Sequence, residues 1–338
     1  MTNSDEADWD AYVDSAAGAE IYHRFAWKRL LEDVFSHECH YLLARDAQDV
    51  PCGVLPLAHL KSRVFGNFLV SIPCFNYCGI LAADDDARTA LKSSALELAR
   101  GLGASHVELR HRSHVELDLP FRDDKVSMQL PLPESAEQLW ASFPSKLRSQ
   151  IRRPKKEGAV CQRGGIELLD EFYQVFARNM RDLGTPVFPR QMFSKIYDLF
   201  PEQTEFYVVR LGNKPVAGAY TVGYRDTVEI PSASALREYS RCAPNMLLYW
   251  TVLQSVIEQG YKVFDFGRAS KDSGSYRFKR QWGAEEQPLT WHYVLNVGSE
   301  IPKINPDTPK YRFAMNVWRR LPVPVANFLG PQVVKHLP

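Results

Sequence analysis

Val263-Phe264-Asp265-Phe266-Gly267-Arg268, followed closely by Ser273-Gly274-Ser275-Tyr276-Arg277-Phe278-Lys279-Arg280-Gln281-Trp282-Gly283, is the stretch on which the reading of the fold turns. An apolar run that carries one carboxylate reads as a buried strand. The Gly-Arg corner ends it, and a segment dense in glycine, aromatic and cationic residues follows. Ligands in sheets with flanking helices bind at such strand ends. Asp265 alternates with apolar neighbours, so it is expected inward and paired, with Arg268 as a partner.

Working outward, the strand is preceded by an apolar helix over 245–259 and by strands over 205–211, 216–224 and 227–232. The same order occurs earlier in the chain. A helix over 23–35 precedes strands at 39–45, 52–60 and 65–72, an amphipathic helix over 87–102, and a short strand over 106–110. Gly53 pairs with Gly218 at an offset of 165, and Gly103 with Gly260 at 157. Two offsets this close predict an internal duplication. The expected fold is α+β, with tandem mixed sheets flanked by helices. The halves are expected at 1–145 and 166–300, joined by a basic segment over 146–165 and followed by a tail over 301–338. Strands over 126–130 and 288–297 belong to the first and second half in this division. The first residues, acidic and polar, are expected to be a ragged start.

Bulk composition excludes several classes. The net charge is +1, so no global field attracts DNA or a membrane, and any polyanion must meet a local patch. The cysteines at 39, 52, 74, 78, 161 and 242 form no CxxC pair and read as reduced core residues of a cytoplasmic protein. No metal is expected, because ligand spacing is missing around them. No apolar run reaches the ~18 residues of a membrane span, and the N-terminus lacks a secretory signal. P-loop, GxGxxG, HExxH and GxSxG patterns are missing. With no nucleophile motif, direct transfer between two bound substrates is expected, with no tightly bound cofactor.

Four constellations remain. Lys146, Arg148, Arg152, Arg153, Lys155 and Lys156 crowd one helical segment with a single acid, Glu157. The run binds a phosphate or pyrophosphate or a nucleic-acid backbone, with Arg148, Arg152 and Arg153 as the favoured ligands, or else is a solvated helix face. Asn179, Arg181 and Asp182 cluster where Gly184 and Pro186 end a helix, facing a ligand or forming a capping network. Glu229 sits in an apolar strand near Pro231, either as a desolvated carboxylate that suits a general base or as an exposed residue on an alternating strand. Lys279, among aromatic residues, suits stabilisation of an oxyanion, and Tyr276 suits proton donation.

With these residues in place, the chain resembles the FemAB family of acyltransferases, built from two GNAT-like halves, over roughly residues 20–297. The resemblance rests on Lys146–Arg153, Asn179–Pro186, Val263–Arg268 and Tyr276–Gly283. More narrowly it is similar to FemAB-related proteins of exosortase (PEP-CTERM) and exopolysaccharide systems. The resemblance implies N-acyl or aminoacyl transfer to an amine of a cell-envelope or exopolysaccharide precursor. Phe278-Lys279 before Trp282-Gly283 matches the family's catalytic pair, which gives Lys279 the oxyanion role. Arg268, Phe278 and Trp282 are then expected at the substrate. The acyl donor is acyl-CoA or aminoacyl-tRNA as co-substrate, and the acceptor a phosphate-bearing saccharide or lipid-linked precursor. The long helical arm of classical members is missing, as is the GNAT pyrophosphate loop, whose place holds Arg241-Cys242-Ala243-Pro244-Asn245. Two other readings are a tRNA-dependent peptidoglycan aminoacyltransferase and a non-catalytic saccharide-lipid binding protein. The tail over 309–338 mixes Tyr311, Phe313, Val317 and Trp318 with Lys310, Arg312, Arg319 and Arg320. It either rests on the inner face of an anionic membrane or packs on the second half.

Overall fold

The computed structural model describes residues 3–113, 115–298, 300–301 and 309–337. The chain forms two compact units, one of Met1–Val126, Gln287–Ile304 and Lys335–Pro338, the other of Ser127–Glu286 and Asn305–Val334.

In chain order the first unit contains α1 (Asn3–Ser15), α2 (Ala26–Phe35), β1 (Glu38–Arg45), β2 (Pro51–Ser62), β3 (Gly66–Val70), β4 (Leu81–Ala82), α3 (Asp85–Gly101), β5 (His106–His111) and β6 (Phe121–Arg122). The β1–β2 turn is built locally. The Asp46 carboxylate accepts the amides of Gln48 and Val50, each at 2.9 Å, and Asp49 takes the left-handed conformation that a short polar side chain tolerates. Asp84 caps α3 by accepting the amide of Ala87 at 2.8 Å. The apolar stripe of α3, with Leu91, Ala95 and Ala99, then packs on Leu55, Leu57, Leu69, Val107 and Leu109 of the sheet.

The second unit contains β7 (Lys125–Pro131), α4 (Ala136–Ser142), α5 (Ser145–Lys156), β8 (Ala159–Gly164), α6 (Leu169–Leu183), α7 (Arg190–Leu199), β9 (Thr204–Leu211), β10 (Lys214–Tyr224), β11 (Thr227–Ala235), α8 (Pro244–Glu258), β12 (Val263–Ser270), α9 (Gly274–Arg280) and β13 (Glu285–Pro288). The chain then returns to the first unit through β14 (Thr290–Leu295). It ends with α10 (Pro309–Trp318) and α11 (Val323–Val334), both in the second unit.

The duplication is present in the strand order. One sheet runs β1-β2-β3-β5-β14-β6, with β4 on β2, and the other runs β13-β7-β12-β11-β10-β9-β8. In the first, β1–β2–β3 are antiparallel and β3 pairs parallel to β5. In the second, β9–β10–β11 are antiparallel and β11 pairs parallel to β12. Each parallel crossover is a helix, α3 or α8. Gly103 and Gly260 follow these helices with φ of +62° and +87°, a conformation that a Cβ resists.

Two strands exchange sheets relative to the linear division. β7 lies beside β12, and β14 lies antiparallel to β5. Both had been expected in the opposite halves. Alternating apolar residues mark a strand but not its partner, because pairing is decided by tertiary register. The expected linking segment is α5 and β8, and β8 is the edge of the second sheet. The start of the chain is helical: Trp9 and Val13 are fully buried, and the Trp9 indole donates to the carbonyl of His23 at 2.6 Å. Its acids are matched by distant arginines, Asp8 with Arg45 and Glu6 with Arg29.

The tail packs on α6. Arg181 Nη1 donates to the Leu321 carbonyl at 2.9 Å, and Ala326, Gly330 and Val334 are buried. Phe313 and Phe328 stay 71% and 77% exposed. Residues 302–308 and 338 of the expected tail, and the side chains of Lys310 and Tyr311, lie outside the described residues. Among the described residues, no helix is long and apolar enough to cross a membrane.

Candidate active site

The site is assembled around the parallel pair β11–β12. Glu229 and Asp265 are register partners, so their side chains lie side by side on one face of the sheet. Both are buried, at 3% and 0% exposure. Asp265 accepts Ser127 Oγ at 2.6 Å, Gln129 Nε2 at 3.3 Å and the amide of Gly267 at 2.7 Å. Ser127 and Gln129 alternate along β7 and escaped the sequence reading. Their signal was two polar residues at period two between Val126, Met128 and Leu130.

The Asp265–Gly267 contact bends β12. Gly267 has a φ of +75°, a left-handed position that explains glycine inside an otherwise apolar strand. Its carbonyl and that of Arg268 are turned toward α9, where Lys279 Nζ donates to them at 2.9 and 2.8 Å. Ser273 caps α9 by accepting the amide of Tyr276 at 3.1 Å. The carboxylate therefore shapes the glycine, and the glycine positions the lysine.

Lys279 is 8% exposed. Burial disfavours its ammonium and pulls its pKa down to about 8, against the opposing attraction of Asp265 and Glu229; the Arg268 guanidinium adds a small further decrease. Two of its three N–H groups bind carbonyls, which leaves the third for another acceptor. This is a desolvated cation of tuned charge at the end of a strand. It can stabilise negative charge that develops on a carbonyl oxygen.

The aromatic residues separate into two roles. Trp282, expected at the substrate, is 1% exposed and belongs to the core. It packs on Phe143 at 5.6 Å, and on Tyr249 and Phe278 at 6.1 and 6.2 Å. Phe278 is half-buried, edge-on to Tyr249 at 4.9 Å. The rings thus hold α9 in place. The Tyr276 hydroxyl donates to Glu286 and accepts from Arg280 Nη1 at 3.3 Å. Arg268 is exposed.

On α5, Leu147, Ile151 and Pro154 face inward while Lys146, Arg152, Arg153, Lys155 and Lys156 are exposed and Arg148 is half-buried. Among the described residues, only Arg153 in this run pairs with a carboxylate, Glu157, at 3.0 Å. Arg152 lies over the Trp140 ring at 5.1 Å. The rest of the face keeps its charge.

Asn179, Arg181 and Asp182 do not join Lys279 in one hydrogen-bonded network. Asn179 Nδ2 donates to Ser234 Oγ at 3.1 Å, on β11. Arg181 binds Asp182 at 2.7 Å as well as the Leu321 carbonyl. The Arg181–Asp182 pair anchors the tail, which accounts for its charges at the end of an apolar helix. Gly184 ends α6 with a φ of +79°, and a Cβ there would meet the Met315 carbonyl at 2.8 Å.

Comparisons with known proteins bear on the fold. Residues 141–280, from α4 to the end of α9, match the model of the acetyltransferase (GNAT) domain. The fold is similar to that of FemX, at 16% identity over 88% of this chain and 96% of that one, with a TM-score of 0.66. It is also similar to the C-terminal domain of a putative lysylphosphatidylglycerol synthetase from Agrobacterium fabrum, at 14% identity over 88% and 93% of the two chains, TM-score 0.57. A tandem GNAT protein from the clavulanic acid biosynthesis pathway aligns at 12% identity over 88% and 94%, TM-score 0.52. No curated protein matches the sequence. The chain therefore has a tandem GNAT-type acyltransferase fold, with its recognisable acetyltransferase domain in the second unit.

Proposed function

We propose that the protein transfers an acyl or aminoacyl group to an amine of a phosphate-bearing cell-envelope or exopolysaccharide precursor. The observation that carries this reading is Lys279, a buried ammonium at the end of β12 with one N–H uncommitted among the described residues. The acceptor nitrogen attacks the carbonyl carbon of an activated ester or thioester. The carbonyl π pair moves onto oxygen, and Lys279 stabilises that oxyanion. Collapse restores the carbonyl, breaks the bond to the alkoxide or thiolate, and forms the amide. Glu229 takes the proton lost by the amine. Asp265 has its oxygens occupied by three donors and positions Lys279 through Gly267.

The unneutralised face of α5 supports phosphate recognition, with Arg148, Arg152 and Arg153 as ligands. A coenzyme A pyrophosphate held in the GNAT manner would use the first amides of α8. Pro244 at the first position of that helix removes one of them. This favours aminoacyl-tRNA as the donor over acyl-CoA. Exposed Phe313 and Phe328, with Arg312, Arg319 and Arg320 nearby in sequence, support contact with an anionic membrane face where a lipid-linked acceptor resides.

The test is incubation of purified protein with charged tRNA or acyl-CoA and an amine-bearing nucleotide sugar or lipid-linked sugar, with products read by mass spectrometry. Transfer from either donor, lost in Lys279→Met, is the expected result. Acceptor binding without transfer from both donor classes would replace this reading with a saccharide-lipid binding protein of the same fold.

A further inference from the structure

The first unit carries a second cluster of chemistry-bearing side chains, unrelated to the acyl-transfer reading. Glu38 and His59 are directly opposite each other across β1 and β2, and His40 is opposite Leu57. All three side chains therefore lie on one face, His40 diagonal to His59. Their nearest ligand atoms, one from each residue, lie within 4.8 Å of one another. We propose that Glu38, His40 and His59 form a binding site for a divalent first-row transition metal, with zinc as its occupant.

Three observations support this site. First, Glu38 Oε1 is 3.4 Å from His40 Nε2, and Glu38 Oε2 is 3.5 Å from His59 Nδ1. Each imidazole thus faces one oxygen of the same carboxylate at the ~3.3–3.4 Å separation of ligand atoms around a tetrahedral ion, and all three ligand atoms lie within 4.8 Å of one another. Second, the tautomer of His59 follows from its neighbour. Asn67 Nδ2 donates to the carbonyls of Leu102 and Gly103 at 3.1 and 2.9 Å, so Asn67 Oδ1 faces His59 Nε2 at 2.6 Å. Nε2 must carry the hydrogen. In the neutral imidazole the lone pair of Nδ1 then points at a carboxylate oxygen, and a cation between them reconciles two acceptors. A histidine held through its other nitrogen by an oriented acceptor is the usual support of a metal ligand. Third, His40 Nε2 is shielded from solvent and makes no hydrogen bond.

The surrounding charges permit the site. Lys28, the nearby cation, donates to Glu32 at 2.5 Å. Cys39 alternates to the other face of β1, so it is not a ligand. Three protein ligands leave room for water or an anion. The ion would fasten edge strand β1 to β2, and Asn67 extends that fastening to the end of α3. Two ligands at spacing two on one strand and a third nineteen residues away, on its hairpin partner, leave no linear metal motif.

The experiment uses the full chain stripped with a chelator. Cobalt(II) is titrated while its visible d–d bands are followed, and zinc binding is measured by calorimetry and by the shift in Tm. Binding of about one equivalent is expected. Glu38→Gln and His40→Gln should each weaken it at least tenfold, and Asn67→Ala ~10–100-fold. Far-UV circular dichroism should be unchanged in Glu38→Gln and His40→Gln, whose side chains are exposed and half-buried. Loss of binding in these two variants decides the matter if Asn67→Ala or His59→Gln fails to fold. Absence of binding to the wild type would overturn the proposal, as would equal affinity and Tm shift in Glu38→Gln and His40→Gln.

Discussion

Glu108 on β5 and Asp265 on β12 occupy corresponding places in the two sheets, each on the strand that follows the crossover helix. Val70 is the parallel partner of the first and Glu229 of the second. Both carboxylates are buried, yet they are satisfied differently. Glu108 binds Arg110 Nε at 2.7 Å and the Tyr293 hydroxyl at 3.0 Å. Arg110 in turn donates to the carbonyls of Ile72 and Phe75 and lies 4.3 Å over Trp291. Every group there is committed to the fold. Asp265 instead accepts from the Ser127 hydroxyl, the Gln129 amide and the Gly267 N–H, and the cation near it, Lys279, donates to two backbone carbonyls rather than to a carboxylate. The first copy closes its charge in an ion pair. The second holds a lysine at reduced pKa next to two carboxylates. The proposed chemistry is placed in the second copy, where the buried cation is held by carbonyls instead of being closed in an ion pair.

The largest expected effect tests the closed side. Arg110→Met leaves Glu108 buried without its cation and should cost ~3–5 kcal/mol of stability, read as a loss of Tm and soluble yield. A drop in turnover with unchanged Tm would break the comparison. Next, Lys279→Met should lower kcat ~10²–10³-fold while leaving KM nearly unchanged, as for loss of an oxyanion donor. Unchanged kcat would make Lys279 only a clamp on Gly267 and Arg268.

The pH profile sharpens the same point, because its two readouts move oppositely. The folded pKa of Lys279 is lowered to about 8 from 10.5. Below about 8 it is charged in folded and unfolded chains, and its burial cost is fully present. Between 8 and 10.5 the unfolded chain binds the extra proton, so this group's contribution makes stability rise with pH. An ammonium that stabilises an oxyanion predicts that kcat falls about tenfold per unit above pH 8. A rise in kcat through the same range would identify Lys279 as a base instead. The smallest effect is expected on α5. Each of Lys155→Ala and Lys156→Ala should weaken binding of the phosphate-bearing acceptor several-fold at low salt, with less effect at high salt. Salt-independent binding would remove α5 from substrate recognition.

Within the site, what could be read linearly was set by local rules. Asp265 and Lys279 stood out because a carboxylate in an apolar strand and a lysine among rings contradict their surroundings. Gly184 was legible as a cap because a helix followed by Gly and Pro must stop there. Trp282 misled because an aromatic residue beside a catalytic candidate looks the same whether it meets substrate or core. Arg181 was ambiguous for the same reason: its partner, the Leu321 carbonyl, is 140 residues away.

Periodicity alone determined that this chain builds two helix-flanked sheets by repeating one strand order. It also marked Gly103 and Gly260 as equivalent ends of the crossover helices. Those features depend on φ preferences and on which face of each element is apolar, and both are properties of short segments. Only the tertiary structure decided that β7 and β14 exchange sheets. It likewise decided that Ser127 and Gln129 reach Asp265, and that Glu38, His40 and His59 converge. Strand partners and converging side chains are selected by register and burial across the whole chain, where many pairings share the same local pattern.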